Sequence, residues 1–306
     1  MNWFPFVVAA TFTYGFINFI YKISAHYGYS SLRLLNFQAL TISVVSGIMV
    51  LSRARGINGL NSLLILAAIN SLFFTAGTTL KITSLKFIPV NVAMPLGKLK
   101  TVFVMIIGLV VFADNPSFRQ IAGMVLALAT VFMLATPSGK KMTVEEKNIH
   151  LKGILLILTA AAAIAISITA GKIASSGELF NVEKVDKLTY IWLSYTLVFI
   201  YTYISKKFIL KTGDRRKCHV RCDVFKGAPA RLVLLGAAAG VLNFGGYYLI
   251  LKAWEYGPLS LVQGIFSLSM VITIIFAAII YKEKFTPLKI TAIISAIIAA
   301  LLIKGS

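Results

Sequence analysis

Long apolar runs alternate with short polar breaks along the whole chain. Ten runs stand out, at about 3–24, 34–52, 62–84, 88–112, 118–136, 152–174, 188–210, 231–254, 258–281 and 287–303. Each is close to the roughly 17 to 25 residues that a helix needs to cross about 30 Å of hydrocarbon. The pattern predicts an all-α integral membrane protein with ten transmembrane helices. Cap chemistry punctuates the runs. Ser117 with Gln120 reads as a capping box opening the fifth, and Thr286 before Pro287 as a cap and first-turn proline opening the tenth. Thr143 with Glu146 repeats the box in the central loop, where a short surface helix is expected. Pro89 and Pro258 each set a tight break between two spans. The first run begins almost at Met1 with no basic stretch or cleavage site, so it reads as a retained helix.

The sequence also repeats itself. A shift of 169 residues places Gly77 on Gly246, Leu80 on Leu249, Pro89 on Pro258 and Asp114 on Glu283 without a gap. Near the start, Lys22 and Ile23 fall on Lys172 and Ile173 at a shift of 150. Two five-helix repeats are therefore expected, 1–137 and 152–306, joined by a central loop at 138–151. Five spans is an odd number, so the second copy enters the membrane from the opposite side. Inverted repeats of this sort hold their ligands near the midplane, on interrupted helices.

Two lysines break the apolar pattern of the fourth run. Lys98 lies nine residues in from Pro89, near the midplane, where a cation costs at least roughly 2.5 kcal/mol and normally faces a wet cavity or a partner. A helix turns about 100° per residue, which sets Lys100 about 200° away around the axis. Lys98 shares its face with Asn91, Met94, Pro95 and Thr101, whereas Lys100 sits with Ala93, Leu96, Phe103 and Ile107. Lys98 is thus the stronger candidate for a binding residue. Under the repeat, Lys98 falls on Ser267, Asn91 on Ser260 and Met94 on Gln263, with Gly264 opposite Pro95. These two polar faces are expected to wall one central cavity, with Tyr14 and Asn243, near span centres, added to it. The competing reading gives the lysine a backbone carbonyl and leaves the serines and glutamine bonding between helices. Gly236 and Gly240 form a small-residue face that reads as close helix packing.

Composition agrees with the pattern and narrows the chemistry. With 58% hydrophobic and 13% charged residues over 306 positions, and a mean hydropathy of +0.86, an ordinary soluble domain is excluded. The net charge of +20 lies mostly in loops and at span ends, which fits lipid headgroups and topology rather than nucleic acid. Loops on the terminal side hold eight basic residues, Lys172 among them, against about twenty opposite, led by nine from Lys206 to Arg231. That count places the termini outside the cell. All ten acids fall in loops or at span ends, so proton antiport through a midspan carboxylate is disfavoured. An uncompensated midplane lysine favours a ligand that brings its own negative charge. Cys218 and Cys222, with His219 between them, are too few to hold a metal and read as incidental thiols. His26, His150 and His219 lie outside the apolar runs, so no nucleophile and base meet in the membrane. An intramembrane enzyme or lipid-binding scaffold is a remote reading. No cofactor is expected.

The whole chain resembles the ten-span EamA-like branch of the drug/metabolite transporter superfamily. The likeness rests on five plus five spans, the tight third-to-fourth and eighth-to-ninth turns, and acids that end the fourth and ninth spans. The last motif reads Asp114, Asn115, Pro116 and Ser117, then Gln120 and Gly123, and again Glu283 through Pro287. It departs from the usual Glu at Asp114 and from a common Gly at Ala292. The resemblance implies a multi-pass protein of the cell membrane, plasma or bacterial inner, moving a small-molecule substrate by alternating access, with a coupling proton or exchange substrate as second partner. It implies cytoplasmic termini, against the charge count. Relatives that carry sugar phosphates or nucleotide sugars hold phosphate on a fourth-helix lysine, which Lys98 resembles. Their ninth-helix basic residue is replaced here by Ser267 and Ser269. The leading expectation is a carrier of a small anionic or zwitterionic metabolite. The alternative is an exporter of amino acids or neutral aromatic compounds, with Tyr14, Tyr247 and Tyr248 as contacts.

Overall fold

A computed structural model describes residues 2–53, 59–84, 87, 96–133, 144–177, 179, 184–212, 229–281 and 287–304. Among these residues every regular element is a helix. The helices are α1 (Phe4–His26), α2 (Ser31–Leu51), α3 (Leu60–Ser84), α4 (Leu99–Val110), α5 (Phe118–Met133), α6 (Val144–Ser176), α7 (Lys187–Thr212), α8 (Ala230–Tyr256), α9 (Leu259–Ser267), α10 (Ser269–Tyr281) and α11 (Pro287–Lys304). Six described stretches are long and apolar enough to cross a membrane: Phe4–Ser24, Ser31–Leu51, Leu60–Ser84, Leu151–Ser176, Ala230–Tyr256 and Leu259–Phe276. The last of these joins α9 to α10 across a break at Leu268. Large apolar side chains such as Val110, Leu234 and Ile279 stay exposed on the outside of the bundle, as helices facing lipid require.

Local chemistry places several helix ends. The Ser117 and Gln120 box forms as expected, with the Ser117 amide donating to Gln120 Oε1 at 2.9 Å and the Gln120 amide to Ser117 Oγ at 3.4 Å. Pro287 opens α11 as its first residue. The central segment differs from expectation. Residues 144–151 form no separate surface helix but the first turns of the 33-residue α6. From Val144 to Lys152 the chain has neither Pro nor Gly, and acids at the start of a helix favour its dipole. Thr143 itself, and Cys218, His219 and Cys222, lie outside the described residues.

The helices pack in pairs. α3 lies along α6 and α1 along α8; α2 meets both α7 and α8, α3 meets α7, and α5 runs against α11. Glycines allow the closest approaches. A side chain started at Gly240 would meet Thr41 Cβ at 2.6 Å, and one at Gly236 would strike Phe37. The small-residue face read from the sequence therefore seats α8 on α2. Polar pairs join α2 to α7, where Ser43 Oγ and Thr196 Oγ1 lie 2.6 Å apart and Thr202 Oγ1 donates to Asn36. Such bonds hold helices together where burial of apolar surface gives little preference for protein over lipid.

Candidate functional site

The fourth and ninth apolar runs of the sequence are both interrupted, and at places close to each other under the 169-residue shift. Lys98 precedes α4 with φ −80° and ψ −11°, and its carbonyl accepts the Thr101 amide at 2.9 Å, an i to i+3 turn. Leu268 has φ −70° and ψ −7°, and its carbonyl accepts the Val271 amide, also at 2.9 Å. A shift of 169 residues puts Lys98 on Ser267, one residue before the second break. Ser267 weakens its helix locally, because its Oγ donates back to the Gly264 carbonyl at 2.7 Å. In the fourth span Gly97 directly precedes the break, and glycine weakens a helix interior by itself. Asn91, Met94 and Pro95 lie outside the described residues. The two spans meet, α4 packing on α9.

A cavity of about 100 Å³ opens beside these breaks. Its wall is largely aromatic: Tyr14 from α1, Phe74 from α3, Tyr195 from α7, Tyr247 and Trp254 from α8, and Phe266 from α9. The rings brace one another edge to face, Tyr14 on Phe266 at 4.7 Å between centroids and Tyr195 on Tyr247 at 5.7 Å. Between them runs a polar chain. Ser167 Oγ donates to Asn70 Oδ1 at 2.6 Å, Asn70 Nδ2 donates to the Tyr247 hydroxyl at 3.4 Å, and Asn243 Nδ2 donates to the Tyr195 hydroxyl at 3.0 Å. Among the described residues lining the cavity, Lys100 is the one that carries a charge.

Lys100 has two cationic neighbours. Lys98 and Lys81 both lie within its electrostatic reach, and Lys81 Cε is 3.8 Å from where a side chain on Gly97 would begin. All three lysines are half-buried. Among the described residues none offers the side-chain ammonium group of any of the three an ion pair or hydrogen bond. Three of the described acids serve elsewhere: Asp114 accepts the Ser260 amide, Asp186 accepts Thr189, and Glu255 pairs with Lys184 and Lys187. The arrangement can hold an anion's charge at one side and a flat or apolar body against the rings. No group of three or more potential metal ligands occurs among the described residues.

The residues singled out from sequence are distributed unevenly around this cavity. Tyr14 lines it, and Asn243 supports Tyr195 from behind. Lys98 sits at the break beside Lys100, outside the lining. Thr101, Ser260, Gln263 and Ser267 are buried between helices, away from the lining. Gln263 Oε1 is buried without a hydrogen-bond partner among the described residues.

Two stretches of the chain, 1–136 and 151–305, match the pattern of a family described as the EamA-like transporter family. The chain belongs to that family. This EamA-like protein is accordingly a multi-pass integral membrane transporter of small molecules, and the family is one of transporters rather than enzymes. No curated protein matches its sequence. A solved structure titled only as the crystal structure of a protein superposes with a TM-score of 0.74, covering 98% of this chain and 95% of that one at 14% identity. That likeness extends over the whole fold and speaks to the fold alone.

Asn70, Ser167 and the approach of Lys81 escape sequence reading, and Lys100 ranks second in it. Asn70 and Ser167 are polar residues near the middles of α3 and α6, but nothing in their spacing along the chain says that they meet. Lys100 ranks second to Lys98 in the sequence because an unbroken helix turns it onto an apolar face. Lys81, outside the cavity lining, stands near the end of its apolar run and reads in sequence as an ordinary span-end lysine.

Proposed function

We propose that the transporter carries a small anionic or zwitterionic metabolite by alternating access, its negative group held by Lys98 and Lys100. The observation that carries this reading is the cluster of half-buried lysines, without a carboxylate among the described residues, at an aromatic cavity. A cation in such a place is stabilised by a counter-charge, and here the ligand would bring it. Tyr14 and Asn243 belong to the same site, Tyr14 as a contact and Asn243 as the support of Tyr195. Asn91, Thr101, Ser260, Gln263 and Ser267 extend it along the two broken spans, as polar groups exposed to the ligand in another state of the cycle.

The architecture behind it is ten spans in two inverted repeats, 1–137 and 152–306, linked by 138–151. Helix packing supports this. Exchanging the first span with the sixth, the second with the seventh and so on carries the α3–α6 contact onto α8–α1, and the α2–α8 contact onto α7–α3. The contacts α2–α7, α4–α9 and α5–α11 each join equivalents. Alternating access then rocks one repeat against the other around the broken helices, with a proton or an exchanged substrate as the coupling partner.

A second reading, export of neutral aromatic compounds or amino acids, is favoured by the six aromatic side chains of the lining. Thermal stabilisation of the purified protein separates the two. Carboxylates or phosphates that raise the unfolding midpoint support the anion reading. Stabilisation by neutral aromatic compounds and by no anion would replace it with the second.

A further inference from the structure

Lys81 stands within the last turn of α3, where an ordinary span-end lysine would extend to the headgroups. Instead its Cε packs 3.8 Å from the β-position of Gly97, at the break of the fourth span. Lys98 and Lys100 both experience its charge, and Lys100 reaches the cavity wall. Three cations from two spans therefore converge on one broken segment. Like charges gathered on one partly buried segment repel one another. A monocarboxylate compensates one of three such charges and leaves a repelling pair. An anion of charge −2 leaves a single excess cation and can bridge two ammonium groups at once.

Resting on the anion reading above, we infer that Lys81 is the third cation of the site and that the ligand carries two negative charges, as a dicarboxylate or a phosphate or sulfate group does. The headgroup phosphate of an anionic lipid offers the same chemistry, so the test includes it. The full-length protein in detergent, at fixed ionic strength, is titrated with succinate, sulfate, acetate and short-chain phosphatidate while its thermal midpoint is followed. Succinate or sulfate reaches half-maximal stabilisation at a concentration about tenfold or more below that of acetate, a difference of about 1.4 kcal/mol. Lys81→Gln brings the dianions close to acetate, and Lys81→Arg keeps the preference. The wild-type comparison decides the matter even where Lys81→Gln fails to fold. Equal responses to acetate and succinate, both lost in Lys98→Gln, would overturn the inference and leave the anion reading standing. A response to phosphatidate without one to soluble dianions would also overturn it. No response to any anion would remove both.

Discussion

The Asp114 carboxylate accepts the backbone N–H of Ser260 at 2.8 Å, tying the end of the fourth span to the first turn of α9. A negative side chain there satisfies one of the free amides that every helix start leaves and complements its dipole. The chain reaches this position through Ala113, whose φ of 52° is left-handed, and the Asp114 amide returns to the Gly108 carbonyl at 3.0 Å. A side chain on Gly108 would meet Asp114 Oδ2 at 2.7 Å and Ser260 N at 2.8 Å. Gly108→Ala therefore lowers the unfolding midpoint in detergent, the overpacking costing about 1–3 kcal/mol. Asp114→Ala lowers it by the value of a cap, about 0.5–2 kcal/mol. An unchanged midpoint in both variants would mean that this joint holds nothing.

Lys172 performs the complementary task at the other end of a helix. Buried at 2% exposure, its Nζ donates to the Trp254 carbonyl at 2.8 Å and the Gly257 carbonyl at 3.2 Å, and it lies 5.6 Å from the Phe112 ring centroid. It is not the loop residue that the charge count took it for, and a count of loop charges must leave it out. Lys172→Met removes charge-assisted bonds to the last turn of α8 and destabilises by about 1.5–3 kcal/mol or more. Thermal unfolding of the purified variant measures it, and a wild-type midpoint would show those carbonyls to be satisfied without the ammonium.

Close approach of α8 to α2 depends on Gly240. Gly240→Leu drives a branched side chain into Thr41 Cβ and toward the Gln38 carbonyl, which separates the helices. Loss of a monodisperse species in size-exclusion chromatography is expected. Normal elution with a normal midpoint would mean that the two helices can part at little cost.

Much of this was legible in the sequence, for definite reasons. Hydrocarbon thickness imposes span length, so the apolar runs located the long helices. The box of Ser117 and Gln120 and the small face of Gly236 and Gly240 are local patterns that formed as written. The cavity was harder to read. Whether Lys98 or Lys100 reaches it depends on the phase of a helix that stops and restarts at the turn, and a break of one residue changes that phase. The convergence of Lys81 on Gly97, or of Asn70 on Ser167, joins different helices, and no spacing along the chain encodes it.

The polar chain at the cavity wall acts as a unit. Asn70 joins α3 to α6 through Ser167 and to α8 through Tyr247. Asn70→Ala and Ser167→Ala, singly and together, form a double-mutant cycle whose coupling is expected at about 0.5–3 kcal/mol. Strict additivity of the two midpoint shifts would contradict the bond.

The most direct measurement is initial uptake of a labelled anionic metabolite into vesicles reconstituted with wild type, Lys98→Gln and Lys100→Gln. The anion site proposed here predicts at least an about tenfold loss of uptake in each glutamine variant, about 1.4 kcal/mol in affinity or barrier, with Lys100→Arg retaining more than Lys100→Gln. Uptake at the wild-type rate in both glutamine variants, for every anion the protein carries, would contradict it.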